Sequence, residues 1–469
     1  MNEESHDTQT PGLTQEQWLR QLEAQSCAHG DTVHYQAQPA IFSHCEGSFL
    51  YDIQERPYLD LQMWYSAVNF GYGNQRLNNA VKRQLDILPQ VASQYLHREK
   101  IELAHALVTQ VEKSFFAKGR VQFNVGGSQA IDDSLKLVRN ASEGKSLMFA
   151  FEGGYHGRTL GATAITSSYR YRRRYGHFGD RAMFIPYPYC FRCPYGKRRQ
   201  DCGLYCVDQF ARLFESEYHA IYDPKTGSCE YAAFYAEPIQ ATGGYVIPPQ
   251  GYFEKLKTVL EQHHILLVDD EIQMGFYRTG CFFAMEHFNV TPDVMVFGKA
   301  MTNGLNPLSG LWAREQLINP EIFPPGATHS TFAANPLGTA AALETMRMLA
   351  EENPGPSVME KGAYLLEGLR GLKKKYPIIG DVDGLGLALR IEVCTADGFT
   401  PDRAATDRLV DEAMKADLDW NGQRYGLVLD IGGYYKNVIT LAPALTISKE
   451  EMDMALTFLD QLFWRITAT

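Results

Sequence analysis

The chain has 469 residues, 45% hydrophobic and 21% charged, and 44 Lys and Arg against 55 Asp and Glu give a net charge of −11. That length and balance bury a sizeable core and exclude a disordered tether, and the acidic surface argues against nucleic acid or anionic membrane as partners, leaving small molecules as the default. No run approaches the ~18 apolar residues of a membrane span, the acidic start MNEESHDTQTPG does not read as a signal peptide, and nine cysteines are too sparse for a disulfide scaffold, so a cytoplasmic chain with mostly reduced thiols is expected.

In chain order, a loose arm leads into a short helix around 15–25, and 51–61 alternates about charged residues as a hairpin does. From 78 to 346 short apolar runs alternate with amphipathic helical stretches, the pattern of βαβ units and a mainly parallel sheet. One unit shows the logic: 231–236 is a strand-like run, Phe253, Leu256, Val259 and Leu260 form a helical stripe, and 265–268 is the next strand. Past a Pro- and Glu-rich break at 351–356 the pattern becomes a smaller α+β one. It ends in a helix with a capping box at Ser448 and Glu451, a staple of Ile447 and Met452, and a stripe of Leu456, Leu459 and Phe463. The expected division is an N-terminal arm with part of a small domain (1–77), a large α/β domain (78–346) and a C-terminal small domain (347–469).

In open α/β sheets ligands sit beyond the carboxyl ends of the strands, so the polar residues that follow apolar runs carry the information. The run 121–125 leads into Gly126, Gly127 and Ser128 and a helix with Ile131, Leu135 and Val138 on one face. The run 147–151 leads into Gly153, Gly154, Tyr155, His156, Gly157 and Arg158; 232–236 leads into Glu237, 265–268 into Asp269, Asp270 and Glu271, and 294–297 into Gly298 and Lys299.

Small residues opening a helix let backbone N–H groups approach phosphate oxygens, with the helix dipole favouring the anion. Alone, Gly126-Gly127-Ser128 fits an ordinary strand-to-helix turn as well. Lys299 after a buried strand fits a solvated strand end, or a desolvated amine able to attack a carbonyl. Asp269 and Asp270 fit a metal site, a helix cap or a catalytic acid. Together, a phosphate cradle, a strand-end lysine, a strand-end carboxylate and an aromatic after a Gly-Gly turn are what pyridoxal phosphate requires: an anchored phosphate, an aldehyde joined to lysine, a stacked ring and a protonated pyridine nitrogen.

Seven segments in order, YSAVN (65–69), NVGGSQA (124–130), GGYHGRT (153–159), EPIQATGG (237–244), LLVDDEIQMGFYRTG (266–280), FGKAMTNG (297–304) and STFAANP (330–336), give a chain that resembles the class III pyridoxal-phosphate aminotransferases, with the ornithine and 4-aminobutyrate enzymes as nearest relatives. The resemblance covers 42–466. It implies fold type I, a large domain around a mostly parallel mixed sheet with a small α+β domain built from both chain ends. It further implies Lys299 as the Schiff-base lysine and proton shuttle, and Asp270 as partner of the pyridine nitrogen. Gln273 would reach the ring hydroxyl, Ile272 and Tyr155 would clamp the ring, and Gly127 and Ser128 would hold the phosphate. Thr331 would contact the phosphate of a neighbouring subunit, which implies a homodimer with shared sites. Arg158 would bind a distal carboxylate, Tyr65 the substrate α-carboxylate, and Glu237 would lie with the substrate residues; Trp64, beside Tyr65, is expected in the core.

The chain departs from glutamate-using relatives at two matched places. They carry QGEGG, whose glutamate gates an arginine in I-R-x-x-P; this chain has Thr242 in QATGG and Thr440 in Ile439-Thr440-Leu441-Ala442-Pro443. Losing both partners leaves two compatible neutral groups, a coherent change of pocket. Either another arginine, from 167–181, binds the amino acceptor, or the enzyme is a racemase, epimerase or aminomutase that needs one substrate. Smaller departures are Gln129, Ile131 and Tyr72, in place of glutamate, asparagine and histidine.

Two segments stand outside this pattern. RYRRRY with its tyrosines reads as a surface or interface stretch rather than a nucleic-acid patch, given the net charge of −11. Cys190, Cys193, Cys202 and Cys206 form a C-x2-C-x8-C-x3-C array that fits zinc, an iron–sulfur cluster, a disulfide or structural thiols. The leading reading is an enzyme that moves an amino group from an amine, ω-amino acid or amino acid to a keto acid. The rival of a different class is a metal- or nucleotide-binding regulatory α/β protein.

Overall fold

Alternating side chains of the strand Leu147–Phe151 divide between two cores: Phe149 and Phe151 face a large aromatic core, Met148 and Ala150 a smaller aliphatic one. That period of two places the strand inside a sheet covered on both faces. The computed structural model describes residues 13–28, 39–172, 175 and 182–468. Its main sheet has seven strands in the order Gly119–Asn124, Ser309–Arg314, Val294–Phe297, Leu266–Asp270, Tyr231–Ala236, Leu147–Phe151 and Ala182–Ile185. All run parallel except Ser309–Arg314, which pairs antiparallel with both neighbours. This is the mostly parallel mixed sheet expected.

The helix Gly127–Ala141 lies on the aliphatic face, with Ile131, Leu135 and Val138 buried there as their spacing predicts. The helix Tyr252–Gln262 covers the aromatic face through Phe253, Leu256, Val259 and Leu260. On that side Phe149 stacks on Tyr231 with ring centroids 3.9 Å apart and meets Phe210 edge-on at 5.1 Å. A large side chain buried as fully as Phe149 contributes about 1.5–3 kcal/mol.

Both chain ends meet in the smaller part. A five-stranded sheet, Phe42–Glu46, Phe49–Asp52, Pro57–Asp60, Gln423–Val428 and Leu418–Trp420, joins the N-terminal hairpin to a C-terminal strand, with Leu59 opposite Leu427 in a parallel pair. A second sheet, Ile379–Leu385, Ala388–Val393, Val438–Leu441 and Asp430–Gly432, is antiparallel. The helix Lys449–Thr467 starts at the expected capping box of Ser448 and Glu451 and buries Leu459 and Phe463 in this core, with Leu456 at its margin. The helix Gln15–Ser26 starts at a capping box of Thr14 and Gln17. The helix Pro336–Glu352 runs through position 346 and ends at the left-handed Asn353, so the Pro- and Glu-rich break is a tight turn into the helix Gly355–Lys375. The helix Gln75–Ile87 likewise runs through 77 and 78.

Candidate active site

Three neighbouring strands of the main sheet end close together and deliver the polar residues. Asp270 is the last residue of Leu266–Asp270, Glu237 follows Tyr231–Ala236, and Lys299 follows Val294–Phe297 after one glycine. They line a cavity of about 190 Å³ with Gly127, Ser128, Tyr155, His156, Gly157, Ile272, Gln273 and Met274.

Lys299 begins a short 3-10 turn with φ of 42°, a left-handed conformation that costs a non-glycine residue free energy and concentrates at functional sites. Its Nζ donates to Gln273 Oε1 at 2.5 Å, and Gln273 Nε2 in turn donates to Tyr245 Oη at 3.0 Å. Burial lowers the Lys299 ammonium from 10.5 to about 8, against the opposing charges of Asp270, Glu237 and Asp430.

Asp270 is buried and its two oxygens are committed: Oδ2 to His156 Nδ1 at 2.8 Å, Oδ1 to the Ile272 amide at 3.1 Å. Burial works against the charged His156 ring, but the hydrogen bond and charge of Asp270, with Glu237 further off, hold it above its ordinary 6.5. His156 Nε2 is buried without a hydrogen-bond partner among the described residues. His156 carried no expected role; the available sign was its place directly after Tyr155 in the Gly-Gly turn. Asp269, one residue earlier, points to the opposite side of the strand, where burial and Glu271 push its carboxyl far up, so only Asp270 of the pair reaches this cavity.

Glu237 serves the loop. Its Oε1 accepts from the Tyr155 amide at 3.0 Å and its Oε2 from the Ala241 amide at 2.9 Å. Burial raises its carboxyl from 4.5 to about 7, with His156 opposing the rise.

No side chain caps the helix Gly127–Ala141, whose first turn faces the cavity. Two glycines set the spacing there. A Cβ on Gly127 would lie 2.9 Å from Ile272 Cδ1, and one on Gly157, at φ of 130°, would lie 2.2 Å from Ser128 Oγ. Ser128 Oγ also accepts from the Arg158 amide at 3.1 Å. These features fit pyridoxal phosphate: a polar cavity, an uncapped helix start for a dianion, an orphaned buried imidazole nitrogen and an amine of depressed basicity.

Tyr65 and Arg158 are not among the residues lining this cavity; Arg158 directly follows Gly157, which is, and its charge acts on Tyr65. Arg158 lies over the Tyr171 ring, 4.5 Å from its centroid, and Tyr155 meets the same ring edge-on at 5.3 Å. Tyr65 sits in a left-handed turn in which Met63, Trp64, Tyr65 and Ser66 have φ of 44°, 51°, 58° and 64°. Such a run costs roughly 1–2 kcal/mol per residue. The buried Asp60 carboxylate holds its entry, Oδ1 accepting from Gln62 and Met63 amides at 2.7 and 2.9 Å. Tyr72, one of the smaller departures, donates to Asp60 Oδ2 at 2.7 Å. Trp64 is 56% exposed rather than core, because the left-handed backbone turns it outward against Gly304.

Thr331 is exposed and is not among the residues lining this cavity. Of the segment 167–181, residues 173–174 and 176–181 lie outside the described residues. Cys190, Cys193, Cys202 and Cys206 line one small cavity with Tyr189, Tyr195 and Tyr205, and among the described residues no three His, Cys, Asp or Glu side chains are grouped to hold a metal ion. No helix among them is long and apolar enough to cross a membrane.

A family model described as aminotransferase class III matches residues 32–463. The leucine/methionine racemase of Thermococcus litoralis is 33% identical over 425 residues, 90% of this chain and 90% of that protein. The ornithine aminotransferase of Brevibacillus brevis is 31% identical, across 92% of this chain and 94% of its own length. An amine transaminase from an uncultivated Pseudomonas species, solved in its PLP-bound form, superposes with a TM-score of 0.82 at 26% identity, covering 98% of this chain and 99% of that one. Likeness of this extent sets aside the regulatory α/β reading: the chain belongs to the class III aminotransferases, fold type I enzymes that depend on pyridoxal phosphate.

Proposed function

We propose that the cavity around Lys299 transfers an amino group from an amine, ω-amino acid or amino acid to a keto acid, with Lys299 as Schiff-base lysine and proton carrier. The observation that carries this is the amine itself. A lysine lowered by burial to about 8 is neutral, with a lone pair free for a carbonyl, in roughly one molecule in ten at pH 7 and in half at about pH 8, and the Gln273 oxygen aims it. Pyridoxal phosphate, when bound, supplies the electron sink that makes a substrate Cα–H acidic.

The family resemblance assigns the other roles, and those given to residues lining this cavity are supported by their place in it. Asp270, oriented by His156 and the Ile272 amide, would hold the pyridine nitrogen protonated. The helix start at Gly127 and Ser128 would take the phosphate, Tyr155 and Ile272 would flank the ring, and Gln273 would meet its hydroxyl. Glu237 acts as a positioning residue, since both its oxygens tie the Tyr155 loop to the segment at Ala241. Arg158 and Tyr65, near enough for the Arg158 charge to act on Tyr65, would receive substrate carboxylates, a task suited to the guanidinium fork. Thr331, exposed on this chain, would complete the site of a second copy in a homodimer. Nine free thiols suit a reducing compartment such as the cytoplasm.

One observation favours a second reading, racemisation at Cα. Thr242 and Thr440 replace both halves of the glutamate gate, and the Thermococcus litoralis relative is a racemase. One experiment separates them. Purified holoenzyme receives a single amino compound in deuterated buffer. Transamination converts the ~420 nm absorbance to ~330 nm with one keto product per site, whereas racemisation retains the ~420 nm band while Cα takes up deuterium and loses its configuration. A protein showing neither response with any amine or amino acid would sink both.

A further inference from the structure

We infer that Asp430 and Thr440 form a subsite for a positively charged group of the substrate, in the place where glutamate-using relatives carry an arginine. The inference rests on the amino-group chemistry proposed above and names the substrate class it selects.

Asp430 opens the edge strand Asp430–Gly432 directly opposite Thr440 in register. Thr440 Oγ1 donates to Asp430 Oδ2 at 3.1 Å, and Gln62 Nε2 donates to Oδ1 at 3.4 Å. Both donors are neutral, and among the described residues no Lys, Arg or His nitrogen comes within 4.0 Å of the carboxylate. Lys436 acts on Asp430 only from beyond that distance, and it is itself opposed by Arg158, Arg170 and Arg403.

The two altered gate positions are neighbours. Thr242 O accepts from the Gly433 amide at 3.0 Å, and a Cβ on Gly432 would meet Thr440 Cγ2 at 3.2 Å and Thr242 O at 3.4 Å. Gln62, which holds the other Asp430 oxygen, enters the left-handed turn that carries Tyr65. The Asp430 charge acts on both Lys299 and Tyr65. An arginine at 440 would pair with this acid directly; threonine leaves it with two neutral hydrogen bonds, the charge of Lys436 acting only from beyond ion-pair distance. Burial accordingly raises the Asp430 carboxyl above its ordinary range, with Thr440 and Gln62 opposing. A part-buried carboxylate in that state gains most from a cation brought by the ligand. The matching ligand has two amino groups, one reacting near Lys299 and one, as ammonium, at Asp430: a diamine or a diamino acid.

The test compares isosteric pairs on the holoenzyme, cadaverine with pentylamine and lysine with norleucine, reading kcat/KM and the ligand concentration that half-saturates the change at ~420 nm. Wild type should favour the doubly cationic member of at least one pair by about 10-fold, Asp430→Asn should erase that ratio, and Asp430→Glu should keep part of it. A ratio measured within one variant cancels any loss of folded protein. Wild type that handles amines without preferring the second ammonium, or Asp430→Asn that lowers both members alike, overturns the subsite while the function stands. If no amino compound of any kind changes the spectrum, the proposed function fails and the subsite falls with it.

Discussion

His156 Nδ1 lies 2.8 Å from Asp270 Oδ2, with both side chains buried and the other Asp270 oxygen on the Ile272 amide. The pair fixes the orientation of a carboxyl group that stands at the end of a central strand and lines the cavity. Burial works against a charged imidazole, and the hydrogen bond and charge of Asp270 outweigh it, holding His156 above its ordinary 6.5.

Replacing His156 by Phe removes the one side-chain hydrogen bond that the described residues give the buried Asp270 carboxyl group. Loss of such a charged bond costs about 1.5–3 kcal/mol, so cofactor retention should weaken roughly 10- to 100-fold. His156→Asn, which can still donate, should recover part of it. Fluorescence titration of apoprotein with pyridoxal phosphate reads the effect; unchanged affinity in the Phe variant would remove His156 from the site.

Lys299→Ala should abolish both the ~420 nm band and turnover while the far-ultraviolet circular dichroism stays native. Because burial holds the amine at about 8, its neutral fraction in apoprotein rises roughly tenfold per pH unit below that value and levels off above it. The rate at which the ~420 nm band appears on adding pyridoxal phosphate should follow that curve. A profile still climbing toward the ordinary lysine value of 10.5 would contradict it.

Glu237 makes a signed prediction for stability. Its carboxyl titrates at about 7 in the folded chain against 4.5 ordinarily, so the folded state holds a proton the unfolded state has released. The contribution is complete below 4.5 and is lost as pH rises through about 7, a fall worth about 3 kcal/mol. Glu237→Gln should flatten this part of the melting-temperature profile and keep the acceptor for one of the two loop amides. An equal slope in wild type and variant would refute the assignment.

Gly157→Ala places a methyl group 2.2 Å from Ser128 Oγ at a φ of 130°, where side chains are strained. Overpacking and strain together should cost about 2–3 kcal/mol and displace the helix start at Gly127. The variant should melt earlier and hold pyridoxal phosphate less tightly, whereas Gly126→Ala, with open space at its Cβ, should do neither to that degree.

Much of this enzyme is local in its causes, and that part is legible in the chain. The alternation through 147–151, the stripe of Phe253, Leu256, Val259 and Leu260 and the capping box at Ser448 each depend on residues a few positions apart, so the mixed sheet and its covering helices follow from spacing. Lys299, Asp270 and the Gly127 turn are legible for a related reason: parallel strands end on the same edge, and polar residues after apolar runs must gather there. Tertiary structure decided what distance along the chain conceals. His156 and Asp270 lie 114 residues apart, so no pattern announces that one hydrogen-bonds the other. Glu237 became a loop anchor because two amides from separate segments claim its oxygens. Trp64 is exposed because a left-handed backbone, set by packing around Asp60, overrides its hydrophobicity. Asp430, unremarkable in the chain, met the neutral Thr440 as its hydrogen-bond partner only when their strands paired, because the charge balance of a buried group is set by every atom within a few ångströms and not by its neighbours in sequence.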